Sequence, residues 1–154
     1  MARLRKKKRP GDLISISIGD QFAFAGMAAG ASFIFFDGFS RKNLRPKAIE
    51  ELPIAFTIWV DNTVDCSPNW QIIGSTTRFE NFQPPDYCRR SIISDKLEIY
   101  RDGRFFAATV EECLDLELAM IWNADAVEER LEFALRGLES PLLKRNKASI
   151  LGFG

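Results

Sequence analysis

Between Leu13 and Ile18 the chain alternates Ile14, Ile16 and Ile18 with Ser15 and Ser17, the period of two that lets a strand bury one face. A helix cannot use such a run, because its 3.6-residue period would scatter the isoleucines around the cylinder. Gly19-Asp20 then supplies a tight turn, and Phe22 and Phe24 alternate with Ala23 and Ala25 on the way back. The chain is therefore expected to open with a β-hairpin.

Further strands are expected downstream. Gly30 separates the hairpin from Ser32 to Phe36, and Asp37-Gly38 closes that run. Pro46 to Leu52 predicts a short helix with proline in its first turn, ended by Pro53. Ile54 to Val60 and Trp70 to Ile73 are β-branched and aromatic and flank a polar loop, 61–69. Leu97 to Tyr100 and Phe105 to Ala107 surround Asp102-Gly103, a strong hairpin turn. Residues 75–91 carry Pro84-Pro85 and scattered aromatics without a period.

Helical signals come late. Thr109-Val110-Glu111-Glu112 matches a capping box. Asn123 can cap a helix to about Leu138 whose Val127, Leu131, Ala134, Leu135 and Leu138 share one face. Strands first and helices last predict an α+β fold: a curved antiparallel sheet or small β-barrel with C-terminal helices packed against it. The expected organisation is a basic, solvated arm at 1–10, one domain at 11–140 and a loosely held tail at 141–154.

The composition suits such a domain, with 46% hydrophobic residues and thirteen phenylalanines among 154 residues. Formal net charge is zero. Six of the 21 basic residues crowd into 3–9 and three more into 144–147, while all 21 acidic residues lie between them, so the body is acidic and its ends basic. Cys66, Cys88 and Cys113 form no close pair, which fits free thiols in the cytoplasm. Pro10, Gly11 and Asp12 stand where a signal peptide would need apolar residues. The uncharged run from Phe22 to Phe36 is too short to span a bilayer and reads as core, so no membrane association is expected.

There is no histidine. That removes the commonest general base and metal ligand, and with them Ser-His-Asp and Cys-His catalysis. No phosphate-cradling or nucleophile-elbow motif occurs either. Carboxylates alone remain, chiefly Asp61, Asp65 and Glu111-Glu112. The loop Asp61-Asn62-Thr63-Val64-Asp65 offers oxygen ligands, but Cys66 occupies the place a calcium loop gives to glycine. Neither a metal nor a cofactor is expected, and a binding protein is favoured over an enzyme. The basic arm leaves open a second reading, a nucleic-acid-binding small β-barrel, although the acidic body argues against nucleic acid.

Several segments, in order, resemble the immunity protein 26 family of bacterial polymorphic toxin systems. They are Gly11-Asp12 with the alternating strand and its Phe22-Ala23-Phe24-Ala25-Gly26 return, Leu52-Pro53 through Val60, and Trp70 through Gly74. Tyr100-Arg101-Asp102-Gly103, Ala108 through Cys113, Leu116-Glu117, Trp122 and Val127 through Leu131 complete them. The likeness covers roughly 10–135. It departs at Ser17, where the family commonly has proline, and across 75–95. It implies a protein that neutralises a cognate toxin by binding it, with no chemistry of its own. An acidic body suits a basic toxin, such as a nuclease that must itself attract phosphate. Asp61, Asp65, Trp70, Asp86 and Tyr87 are the candidate contact residues. Trp70 sits after a Ser-Pro-Asn turn, where an indole can anchor a partner or simply join the core.

Overall fold

The computed structural model describes residues 7–152. The hairpin forms as its alternation demands: β1 (Asp12–Ile18) and β2 (Gln21–Ala28) pair antiparallel, with Ile18 opposite Gln21 and Leu13 opposite Gly26. β3 (Ser32–Phe36) pairs with β2 and with β4 (Ile54–Val60), and β5 (Trp70–Ser75) pairs with β1. A two-residue strand at Ile121–Trp122, β10, adds parallel to β4 and completes a six-stranded sheet of order β10-β4-β3-β2-β1-β5.

A second sheet has four strands: β6 (Tyr87–Arg90), β7 (Leu97–Arg101), β8 (Arg104–Ala107) and β9 (Glu117–Leu118), in the order β8-β7-β6-β9. Neither sheet closes on itself, so of the two expected architectures it is the open sheet, not the barrel, that forms.

Both faces of the first sheet are covered. On one, Ile14, Ile16, Phe33, Phe35, Ile58 and Val60 meet Val127 and Leu131 of α3 (Ala124–Leu135). This helix starts where expected, with the Asn123 side chain accepting from the Ala126 amide at 2.8 Å. On the other face, Leu13, Phe24, Ile34 and Phe36 meet Ile49 of α1 (Pro46–Glu50) and Phe79. Ser15, whose alternation with isoleucine suggested a wetted face, is 1% exposed. The aperiodic stretch after β5 returns over that face and plugs it with Phe79. Gly26 makes the plug possible, since a Cβ there would lie 2.6 Å from the Phe79 ring.

The second sheet packs Cys88, Leu97 and Ile99 against Cys113 of α2 (Val110–Cys113) and Ile150 of α4 (Pro141–Ile150). The expected capping box is complete, with Thr109 and Glu112 each satisfying the other's amide. The presumed loose tail is instead this fourth helix. Ser140 caps it, Ile150 is 2% exposed, and the Arg90 guanidinium donates to the carbonyls of Ser149 and Ile150 at 3.1 and 2.9 Å.

The two sheets join through aromatic and ionic contacts. Trp59 points away from Ile58 and Val60 and packs against Tyr87, with ring centroids 4.4 Å apart and planes tilted by 42°. Arg130 of α3 grips Glu117 of β9 with two hydrogen bonds of 2.8 and 2.9 Å, its guanidinium carbon 3.6 Å above the Phe56 ring.

Candidate partner-binding site

One end of the first sheet carries Asp61 and Asp65. There the turn between β2 and β3 approaches the end of β4, with the Val60 amide donating to the Ala31 carbonyl at 3.1 Å. The Asp61 amide donates to Trp122 at 2.9 Å, which brings the end of β10 and the start of α3 to the same rim. A 3₁₀ turn, Asn62–Asp65, follows.

Asp61 shapes this loop. Its carboxylate accepts from the Thr63 amide at 3.0 Å and from the Thr63 hydroxyl at 2.5 Å. The same hydroxyl oxygen accepts from the Ala124 amide at 2.8 Å, so the loop is tied to the first turn of α3. Asp125 and Glu128 project from that turn and the next, and the Asn69 amide nitrogen reaches Glu128 at 2.5 Å. A shallow cleft of about 360 Å³ runs between the loop and the helix, with Asp125 and Glu128 on its wall.

Asp65 has a structural task. One of its oxygens accepts from the Lys8 amide at 2.8 Å, while the Lys8 ammonium donates to the Val64 carbonyl at 3.0 Å. Lys8 is only 5% exposed, and burial lowers its pKa against the raising influence of Asp65. The expectation of a solvated arm at 1–10 therefore fails at Lys8, because a buried carbonyl and a carboxylate offer it better partners than water does. Residues 1–6 lie outside the described part.

The other candidates divide. Trp70 is core: 3% exposed, edge-on to Phe33 at 6.0 Å and to Phe35 at 6.2 Å, with its buried indole N–H unpartnered among the described residues. Tyr87 is also buried, at 1%, and its hydroxyl donates to the Thr57 carbonyl at 3.4 Å. Desolvation, helped by Glu117, raises its pKa. Neither ring is available to a partner in this arrangement. Asp86 stays at the surface but is claimed by Arg101, through hydrogen bonds of 2.9 and 2.6 Å that hold its carboxyl below the usual range. Asp61 and Asp65 thus share the acidic rim, while Asp86 and Tyr87 belong to the start of β6.

Beside that start lies a feature the sequence did not disclose. Trp59, Tyr100, Pro84, Pro85 and Asp102 enclose a cleft of about 280 Å³ next to the β2–β3 turn. Trp59 and Tyr100 stand perpendicular, at 90°, with centroids 5.4 Å apart. Trp59's place in β4, out of phase with Ile58 and Val60, was the one available signal.

Among the described residues no group of three or more cysteine, aspartate or glutamate side chains is placed to hold a metal ion. No helix among them is long and apolar enough to cross a membrane. Comparison with protein-family models, with curated proteins and with solved structures finds no match to this chain. The fold itself defines an α+β protein of two open, mainly antiparallel sheets with helices on their faces.

Proposed function

We propose that this chain is a non-catalytic binding protein of the immunity type, which neutralises a cognate bacterial toxin in the cytoplasm by covering a basic surface on it. The observation that carries the reading is the acidic rim, where Asp125 and Glu128 line one cleft beside the 61–69 loop and Asp61 and Asp65 line a second, next to the β2–β3 turn, whose wall also includes Lys7 and Lys8. Opposed charge of this kind speeds encounter and fixes orientation. The rim is prepared in advance, since Asp61 and Thr63 lock the loop to α3, and a preformed loop loses little freedom on binding.

The resemblance of several segments, in order, to the immunity protein 26 family favours a toxin as the partner. A nucleic-acid role for the basic arm has less support, because Lys8 is turned inward to Val64. The test is protection in cells. Co-expression with the toxin-like product of the adjacent reading frame should restore growth, and the double substitution Asp125→Lys, Glu128→Lys should abolish the rescue while the protein remains folded. Growth arrest unrelieved by the wild-type chain would refute the proposal.

A further inference from the structure

We propose that the cleft bounded by Trp59, Tyr100, Pro84, Pro85 and Asp102 receives one cationic side chain, an arginine or lysine, from the partner protein. The inference rests on the reading of the chain as a binding protein and names the chemistry that one part of its surface would recognise.

Three features of the cleft point to a cation. Two aromatic rings meet edge to face at 90° with centroids 5.4 Å apart and form a corner, where a cation over an open ring face would lie within about 6 Å of that ring's centre. Pro84 and Pro85 add apolar walls that cannot compete for hydrogen bonds with their own amides, since they have none. Asp102 supplies the one carboxylate on the wall among the described residues, presented from a turn in which it holds φ +51°. A cation entering this corner finds aromatic faces and a counter-charge together, whereas an anion meets repulsion from both. The cleft's volume, about 280 Å³, admits a long side chain such as arginine. The corner is also rigid. Tyr87 backs Trp59 at 4.4 Å, Phe105 backs Tyr100 at 5.1 Å, and the turn adjoins the Arg101–Asp86 ion pair.

The position adds to the case. The cleft includes Ala29 and Gly30 of the β2–β3 turn, and a second cleft, lined by Asp61 and Asp65 together with Lys7 and Lys8, includes Ala31 of the same turn. A basic surface laid along the acidic rim would reach both, so one of its cations can be held specifically and the others by general attraction.

The test uses the full chain and small probes, the N-acetyl methylamides of arginine, lysine, norleucine and glutamate, followed by NMR. Trp70 and Trp122 are 3% and 1% exposed, so of the three indole N–H signals that of Trp59 should respond. The arginine and lysine probes should shift it with dissociation constants of about 1–10 mM, as expected for one cation–π contact and one exposed ion pair. Norleucine and glutamate probes should leave it unmoved.

Asp102→Asn keeps a residue type that tolerates the left-handed turn and should weaken arginine binding about two- to fivefold. Tyr100→Leu, which keeps an apolar strand residue, should do at least as much. Equal response to norleucine, binding indifferent to Asp102→Asn, or no response by about 50 mM probe, far above the expected constant, would each overturn the proposal. Because no partner is present, such a failure is separate from failure of toxin neutralisation, which the growth assay reads.

Discussion

Substituting Glu117→Gln probes the joint between the two sheets. Arg130 is 7% exposed at its side chain and Glu117 is 24% exposed, and two hydrogen bonds of 2.8 and 2.9 Å join them. The guanidinium also lies 3.6 Å above Phe56 and 5.2 Å from Trp122, so it has little water to fall back on. Breaking a buried pair by removing one partner costs about 3–5 kcal/mol, because the remaining charge is stranded. Partial exposure of Glu117 lets water recover some of this, and the glutamine oxygen can accept one hydrogen bond. We therefore expect a loss of about 2–3 kcal/mol, a large share of the roughly 5–15 kcal/mol that holds a domain together. For a chain of this length that lowers the unfolding midpoint by about 5–10 °C.

Urea titration followed by tryptophan fluorescence and by circular dichroism reads the loss directly. Adding Arg130→Met to Glu117→Gln should return most of it, since an apolar side chain on Phe56 and Trp122 no longer needs a counter-charge. A loss below about 0.5 kcal/mol for Glu117→Gln, the size of an ordinary surface change, would refute the reasoning. So would a double variant less stable than either single one.

Other expectations are simpler. Gly26→Ala drives a methyl toward the Phe79 ring and should cost about 1–3 kcal/mol by overpacking, read from the same urea curves; no loss would mean that the plug moves freely. Asp65→Ala removes the acceptor of the Lys8 amide and should speed tryptic cleavage after Lys8 severalfold, as judged by mass spectrometry, while leaving the core intact. Burial pushes the Cys88 thiol up to about 12, whereas in the unfolded chain it ionises near 9. Its contribution to stability is therefore whole below pH 9 and is lost as pH rises from there toward 12, so stability should fall less steeply above pH 9 in Cys88→Ala than in wild type. Native protein should offer one thiol, Cys66, to an aromatic disulfide reagent, and Cys88 and Cys113 only after unfolding.

Local chemistry made much of this fold legible. The isoleucine-serine alternation, the Asp102-Gly103 turn, the Thr109 capping box and the Asn123 cap all depend on residues close in sequence, and all appear in their expected places. What escaped depends on distant partners. β9 and β10 are two residues each and exist only because β6 and β4 lie alongside them. α4 has a weakly apolar sequence and is held by Arg90 and by burial of Ile150, neither visible in its own residues.

The same distinction governs the candidate site. Asp61 was legible as a turn-forming acid at a loop. Trp70 was a candidate from its place after a Ser-Pro-Asn turn and Tyr87 as an aromatic at a loop, but strand phase directs Trp70 into the core between the sheet and α3, and Tyr87 into the joint. Trp59 needed Tyr100 and Pro84 beside it before it could be seen as a cleft wall, and those lie at least 25 residues away along the chain.

The proposed role is to offer an acidic rim to a basic protein. Isothermal titration against the purified product of the adjacent reading frame, inactivated if toxic, tests it most directly when run at about 50 mM and about 200 mM salt, a range over which charge screening strengthens markedly. A stoichiometric complex is expected, with an affinity that drops steeply with salt and drops again in the Asp125→Lys, Glu128→Lys variant. No heat at either salt concentration, or a complex indifferent to both salt and these two substitutions, would contradict it.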